Sequence, residues 1–194
     1  MSHGSLHVYV GPMASGKTTA VIDSLVKFTI VTKQKVLFIN HKDDTRGEKY
    51  STHCGIRDAS GMDSINFVSI EFLGEVPDKV LAEYNVIGID EAQFFTDLYY
   101  TVKTWIDLGK TLYVSGLDGD RYMKKFGQVS DLSHLADSYV KINAVCGFCV
   151  EESPEWGFIP APFTKYIGGT TGDEQVLIGG LKEYQPSCRR HHSS

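Results

Sequence analysis

Short apolar runs alternate with amphipathic stretches along most of the chain. Apolar runs of strand length occupy residues 6–10, 36–39, 86–90, 111–115 and 139–142. The spacing of apolar residues and an initiating proline at position 77 predict helices at about 16–31, 77–84 and 96–108. Strands that alternate with helices are typical of a mostly parallel sheet covered on both faces. The pattern therefore predicts an α/β fold.

The character of the sequence changes after Cys146. Prolines and glycines become dense, helical periodicity disappears, and residues 176–178 form the only strand-like run. Earlier in the chain, residues 40–64 are polar and contain glycine, which indicates a loop or a hairpin excursion. We place a boundary near Asn143, with an α/β domain at 1–143 and a small lobe at 144–194.

The composition is that of an ordinary globular protein, with 42% hydrophobic and 22% charged residues in a chain of 194. That length accommodates one domain with a small appendage. A formal net charge of −5 argues against a broad nucleic-acid-binding face. No apolar run has membrane-spanning length, and no N-terminal signal peptide is visible. We therefore expect a cytoplasmic protein with no nucleic-acid or membrane partner.

A phosphate-binding pattern, G-x-x-x-x-G-K-[ST], lies between the first predicted strand and the first predicted helix. It consists of Gly11, Pro12, Met13, Ala14, Ser15, Gly16, Lys17 and Thr18. Its glycines let backbone N–H groups surround phosphate oxygens, and the helix N-terminus adds a positive dipole end. Lys17 would contact the β- and γ-phosphates, and the Thr18 hydroxyl would bind Mg²⁺. The alternative interpretation of the motif is a plain glycine turn before a helix. Because the whole motif is present, we interpret residues 1–143 as a nucleotide-binding domain.

Two carboxylates, Asp90 and Glu91, follow the apolar run at 86–89. Because the C-terminal ends of parallel strands meet at the ligand crevice, we expect both side chains beside the phosphate loop. Asp90 would hold Mg²⁺ directly or through water, and Glu91 could act as a general base. One alternative is that the pair only caps the next helix. Another is an ATPase, in which the glutamate polarises water, and these two motifs alone do not separate the two reactions.

Two pairs of metal-ligating residues lie in the C-terminal part of the chain. Cys146 and Cys149 form a C-x-x-C pair, and Cys188 and His191 form a C-x-x-H pair. Three thiolates and one imidazole make a complete tetrahedral set for structural Zn²⁺, which would supply folding free energy to a lobe with few apolar residues. His192 is an alternative fourth ligand. A reduced, unpaired C-x-x-C or a redox pair are the other interpretations.

The order of these motifs resembles that of the cellular-type, zinc-containing thymidine kinases over nearly the whole chain. The resemblance depends on blocks at residues 11–18, 44–46, 52–53, 90–95, 116–120, 126–127, 136–137, 163–165, 178–180 and 184–189. It implies a phosphate-loop α/β fold followed by a zinc-binding lobe with a lasso loop over the nucleoside. It also implies transfer of the γ-phosphate of ATP to the 5′-hydroxyl of thymidine, giving dTMP.

The resemblance further implies roles for individual residues. Glu91 corresponds to the base that activates the thymidine hydroxyl, and Asp44 joins Thr18 and Asp90 near the magnesium. Arg46 and Gln93 correspond to positions near the transferred phosphate. Positions around the nucleoside are Met13, Phe94, Leu117, Phe126, Thr164 and Tyr184, and the lasso residues whose backbone would read the base are Val176, Leu177, Ile178 and Gly179. Family members are usually homotetramers inhibited by thymidine triphosphate.

Without the resemblance, Met13, Phe94, Leu117 and Phe126 are better explained as core residues. The chain also departs from the family pattern at several positions. Ala14 stands where phenylalanine is usual, Arg121 where an aromatic residue is common, Tyr166 where an arginine is usual, and His191 in place of the fourth cysteine. An insertion at about 153–160 lengthens the first arm of the lasso.

Three alternative functions follow from these features. The pocket departures are compatible with a kinase for another deoxynucleoside. A zinc-containing ATPase would share both the phosphate loop and the acidic strand end. A non-catalytic regulator is disfavoured because Lys17 and Glu91 are both present.

Overall fold

The computed structural model describes residues 3–44, 62–168 and 183–193. Several predicted functional positions lie outside the described residues: Arg46 and the lasso residues Val176, Leu177, Ile178 and Gly179.

A six-stranded, all-parallel sheet forms the centre of the molecule, with strand order β3-β2-β4-β5-β1-β6. Its strands are β1 Ser5–Val10, β2 Val36–His41, β3 Ile65–Ile70, β4 Val86–Ile89, β5 Thr111–Gly116 and β6 Ser138–Lys141. The prediction of a parallel α/β sheet is confirmed. Because all six strands run the same way, their C-terminal ends meet along one edge.

The three predicted helices are present, as α1 Lys17–Thr32, α2 Asp78–Glu83 and α3 Leu98–Asp107. The two faces of the sheet bury different side chains because successive strand residues point in opposite directions. On one face Phe38 packs with Val21 and Leu25 of α1. On the other, Leu37 and Ile39 belong to a core that includes the α3 residues Leu98, Val102 and Trp105. Within the described ranges, no helix combines the length and apolar character that crossing a membrane requires.

Strand β3 was not predicted from the sequence. It pairs with β2 in parallel register, with Ile65 opposite Val36, and it is the outermost strand on one side of the sheet. Apart from the buried Ile65, its side chains are only partly covered, and Phe67 remains 37% exposed. An edge strand tolerates polar residues such as Asn66 and Ser69, so its sequence lacks the apolar continuity of the central strands.

After β6 the chain forms short elements around a small core. Two antiparallel pairs join β7 Ala144–Val145 to β8 Pro160–Ala161 and β9 Phe163–Tyr166 to β10 Tyr184–Ser187. Helices α4 Gly147–Glu152 and α5 Arg189–His192 begin immediately after Cys146 and Cys188. These helices left no periodicity in the sequence because one or two turns are too short to show it. The prediction that residues 176–178 form the only strand-like run after Cys146 was wrong, since β8, β9 and β10 also lie there. The boundary near Asn143 stays a prediction.

Candidate active site

The phosphate loop connects β1 to α1 at the C-terminal edge of the sheet. Gly11 has φ +143°, and a Cβ there would lie 2.1 Å from the carbonyl oxygen of Ile142. Gly16 precedes α1 with φ +86°, a left-handed conformation that favours glycine. Ala14 also has a positive φ, 57°, although it carries a side chain. The loop thus holds a strained, compact shape.

Side chains of the loop turn back onto its own backbone. The Nζ of Lys17 donates a hydrogen bond of 2.6 Å to the carbonyl oxygen of Pro12, and the hydroxyl of Ser15 donates one of 2.9 Å to the same oxygen. Lys17 is 8% exposed. Its ammonium group is therefore held at the loop, beside the first N–H groups of α1, where a phosphate would be favoured.

Asp90 joins three elements at the sheet edge. The hydroxyl of Thr18 donates to Oδ2 of Asp90 at 2.7 Å, and the hydroxyl of Ser115 donates to Oδ1 at 2.5 Å. The backbone N–H of Asp90 donates to the carbonyl oxygen of Ile39 at 2.8 Å. The structure therefore places Thr18 and Asp90 together, as predicted. Ser115 was missed, although a serine that ends an otherwise apolar strand marks the same edge.

The Asp90 carboxylate is buried, with 3% of the residue exposed. Burial and the neighbouring charge of Glu91 raise the pKa of Asp90 to about 6, while hydrogen bonds from Ser115 and Thr18 oppose the rise. A buried carboxylate beside a second carboxylate favours a bound cation. Carboxylate and hydroxyl oxygens are the ligands that Mg²⁺ prefers, so Thr18 and Asp90 fit this ion.

Glu91 is oriented by Gln93 and not by a helix cap. Nε2 of Gln93 donates to Oε2 of Glu91 at 2.6 Å, and Oε1 of Gln93 accepts the backbone N–H of Leu117 at 2.9 Å. The backbone of Glu91 is left-handed, with φ 50° and ψ 39°, and its side chain makes no capping hydrogen bond to the 3₁₀ helix Ala92–Phe94. The capping interpretation of Glu91 is therefore wrong. Left-handed non-glycine residues concentrate at functional sites.

Asp44 follows β2, the strand adjacent to β4. Nδ2 of Asn40 donates to Oδ2 of Asp44 at 2.9 Å. Asn40 is 5% exposed, and its buried Oδ1 has no hydrogen-bond partner among the described residues. Asn40 was not predicted, although it is the first polar residue after the apolar part of β2. The pair places a carboxylate and an amide at the same edge as Asp90.

The predicted nucleoside residues lie in two groups. In one, the rings of Phe94 and Phe126 meet edge to face with centroids 5.8 Å apart, and the ring of His41 lies 5.5 Å from Phe94. In the other, the backbone N–H of Met13 donates to Oγ1 of Thr164 at 3.1 Å. That bond joins the phosphate loop directly to strand β9.

Tyr184 lies on β10, beside two of the departures from the family pattern, Arg121 and Tyr166. Its ring is 5.2 Å from that of Tyr166, and burial raises the pKa of Tyr184, opposed by the charge of Arg121. The guanidinium of Arg121 lies over the rings of both Tyr122 and Tyr166, at 4.8 and 5.3 Å from their centroids. Arg121 and Tyr166 are therefore in contact, a cation–π pair that the sequence did not reveal.

The four predicted metal ligands converge in the C-terminal lobe. Nδ1 of His191 lies 3.6, 3.4 and 3.3 Å from the sulfurs of Cys146, Cys149 and Cys188. The sulfurs of Cys149 and Cys188 are 3.7 Å apart. The cluster therefore contains His191, and His192 instead packs its ring against Phe163 with centroids 5.6 Å apart.

The dimensions of this cluster fit zinc. Tetrahedral Zn²⁺ with sulfur at about 2.3 Å and nitrogen at about 2.0 Å places ligand atoms about 3.5–3.8 Å apart, close to the observed separations. Burial and the neighbouring thiols raise the pKa of Cys149 to about 12. At Cys149 this environment opposes thiolate formation unless a cation compensates the charge, and the spacing of the four ligand atoms is that of a site that could hold Zn²⁺.

Comparison with known proteins shows similarity over nearly the whole chain. The family model described as thymidine kinase matches residues 4–192. Thymidine kinase a of Arabidopsis thaliana is 39% identical over 196 residues, covering 97% of this chain and 75% of that protein. The cytosolic thymidine kinase of Homo sapiens is 36% identical over 188 residues, covering 97% and 73%. The thymidine kinase of Myxoma virus (strain Uriarra) is 33% identical over 191 residues, covering 98% and 97%.

Proposed function

The chain belongs to the thymidine kinase family, so phosphorylation of thymidine is its activity, and we propose that ATP is the donor and Glu91 the general base. The observation that carries this mechanism is the 2.7 Å hydrogen bond between Thr18 and Asp90. It joins the first turn of α1 to the residue that follows β4, and this supports a role for the adjacent Glu91 beside the phosphate loop.

On the donor side, the loop N–H groups and Lys17 bind the triphosphate. Thr18 and Asp90 would hold the magnesium, with Asp44, which follows β2, as a further ligand. When bound, Mg²⁺ neutralises charge on the phosphate oxygens. The buried position of Asp90 supports this role because its carboxylate then gains a compensating cation.

On the acceptor side, Glu91 receives the proton of the thymidine 5′-hydroxyl. The hydroxyl oxygen forms the new bond to the γ-phosphorus as the bond from that phosphorus to the leaving oxygen of ADP breaks. Gln93 holds Oε2 of Glu91 by a 2.6 Å hydrogen bond, and the Glu91 carboxylate accepts the proton. Since Gln93 is itself anchored on Leu117, the base has a fixed orientation before the substrate binds.

Around the nucleoside we place Phe94, Phe126 and Leu117 on one side and Met13, Thr164 and Tyr184 on the other. Aromatic and apolar groups with few polar anchors suit a pyrimidine with a methyl group. The lasso residues Val176, Leu177, Ile178 and Gly179, together with Arg46, complete the proposed site. A closed site matters because an open one would transfer the phosphate to water.

The C-terminal lobe contributes Thr164 and Tyr184, and we propose that structural Zn²⁺ stabilises it through Cys146, Cys149, Cys188 and His191. A homotetrameric assembly, inhibition by dTTP and a cytoplasmic location are further proposals from the family resemblance. Sedimentation and an inhibition series with dTTP test the first two.

A panel of deoxynucleosides assayed with ATP and Mg²⁺ tests the proposed function. We expect ADP formation to require thymidine and to exceed the rate with deoxycytidine by a wide margin. Nucleoside-independent ADP formation at a similar rate would support the ATPase alternative. A preference for another deoxynucleoside would support a kinase for that nucleoside and would point to the positions of Ala14, Arg121 and Tyr166.

A further inference from the structure

Glu152 contacts the imidazole of His191 on the side opposite the cysteines. Its Oε1 lies 2.8 Å from Nε2 of His191. Glu152 is in helix α4, three residues after Cys149, so both side chains lie on the same face of that helix. The short helix therefore presents one sulfur ligand and one carboxylate to the same imidazole.

The two ring nitrogens of His191 have different environments. Nδ1 faces the three sulfurs at 3.3–3.6 Å, and Nε2 faces a carboxylate oxygen. A carboxylate accepts a hydrogen bond, so Nε2 carries the proton, and in the neutral ring Nδ1 then keeps the lone pair that a metal requires. The partner of Nε2 thus selects the tautomer that can bind the ion.

Other contacts hold both the carboxylate and the ring. Nη2 of Arg190 donates to Oε2 of Glu152 at 2.5 Å. The ring of Phe148 stacks on that of His191 with centroids 5.5 Å apart, and Nζ of Lys165 donates to the carbonyl oxygen of His191 at 2.6 Å. His191 is 6% exposed, so water has little access to compete for its ring.

We propose that Glu152 is a positioning residue of the zinc site, which fixes His191 as a ligand through Nδ1. This inference rests on the proposed zinc site. Carboxylate partners of metal-bound histidines typically raise metal affinity by about 10–100-fold. A cysteine at position 191 would have no second polar atom for Glu152 to orient, so the effect is specific to the histidine.

Zinc affinity, measured by competition with a chromophoric chelator, tests the proposal. We expect Glu152→Ala to weaken zinc binding about 10–100-fold, and Glu152→Gln to weaken it less because the amide oxygen still accepts the hydrogen bond. Glu151→Gln, in the same helix and exposed, is the matched control and should leave the affinity unchanged. Unchanged affinity in Glu152→Ala overturns the proposal.

A double-mutant cycle separates positioning from general support of the lobe. In a His191→Cys background, and equally in His191→Ala, Glu152→Ala should have no further effect on zinc affinity. An equal loss in these backgrounds would show that Glu152 acts independently of His191, which also overturns the proposal. Metal analysis of the wild-type protein distinguishes failure of the zinc site from failure of the Glu152 role. Absence of zinc ends both proposals. One zinc per chain together with unchanged zinc affinity in Glu152→Ala ends only the proposal for Glu152.

Discussion

The hydroxyl of Thr18 and the carboxylate of Asp90 are joined by a 2.7 Å hydrogen bond although they lie 72 positions apart in the chain. Thr18 lies in the first turn of α1, and Asp90 immediately follows β4. The bond therefore couples the element that binds the donor to the strand that carries the proposed base. It also buries a carboxylate that needs a cation, which has consequences for stability.

We predict that Asp90→Asn stabilises the nucleotide-free protein while abolishing catalysis. The pKa of Asp90 is raised from 3.8 to about 6 in the folded state, so ionisation of this group destabilises the fold as the pH rises through that range. Asn keeps the shape and can still bond to Ser115 and Thr18. We expect a gain of about 1–3 kcal/mol in the free energy of unfolding at pH 7.5 without Mg²⁺.

Urea denaturation at several pH values measures this difference. The advantage of Asp90→Asn should be small near pH 4 and complete above about pH 6, since the wild-type carboxyl is protonated in the first condition and charged in the second. A variant that is less stable than wild type at pH 7.5 would contradict the account.

Arg121 and Tyr166 should be energetically coupled. The guanidinium lies 5.3 Å from the Tyr166 ring, and the family pattern that the sequence resembles has an aromatic residue at the first position and arginine at the second. Arg121→Phe and Tyr166→Arg should each lower stability and kcat/KM for thymidine. The double exchange should recover both, with a coupling free energy of about 1–2 kcal/mol. Additive effects of the two substitutions would show that the contact has no energetic role.

Thr164 should support the phosphate loop from the C-terminal lobe. Its hydroxyl accepts the backbone N–H of Met13 at 3.1 Å in a buried setting. Thr164→Val leaves that N–H without an acceptor, at a cost of about 1–3 kcal/mol, and should weaken ATP binding. Thr164→Ser retains the hydroxyl and is the control. Equal ATP affinity in the two variants, measured by isothermal titration, would refute the coupling.

Zinc should stabilise the lobe that carries Thr164 and Tyr184. Cys149 is 4% exposed and lies in the ligand cluster, so Cys149→Ser should lower zinc content, thermal stability and solubility. Cys54→Ser, which removes a cysteine outside the four predicted ligands, serves as the control for loss of a thiol. A wild-type protein that contains no zinc on metal analysis would eliminate this role.

The central strands and the phosphate loop could be predicted because burial on both faces and a fixed motif leave strong patterns. Strand β3 could not, since an edge strand needs no continuous apolar run. Ser115 and Asn40 escaped prediction because a single polar residue at a strand end has no motif. The contact of Glu152 with His191 and that of Arg121 with Tyr166 depend on tertiary pairing, which spacing along the chain does not encode.

The most direct measurement concerns Glu91 as the base. Glu91→Gln keeps the size of the side chain but cannot accept the proton, so thymidine-dependent ADP formation should fall by about 10²–10⁴-fold while ATP binding stays nearly unchanged. Glu83→Gln, an exposed glutamate at the end of α2, should behave like wild type. Wild-type turnover in Glu91→Gln would contradict the mechanism and leave only a nucleotide-binding role for this edge of the sheet.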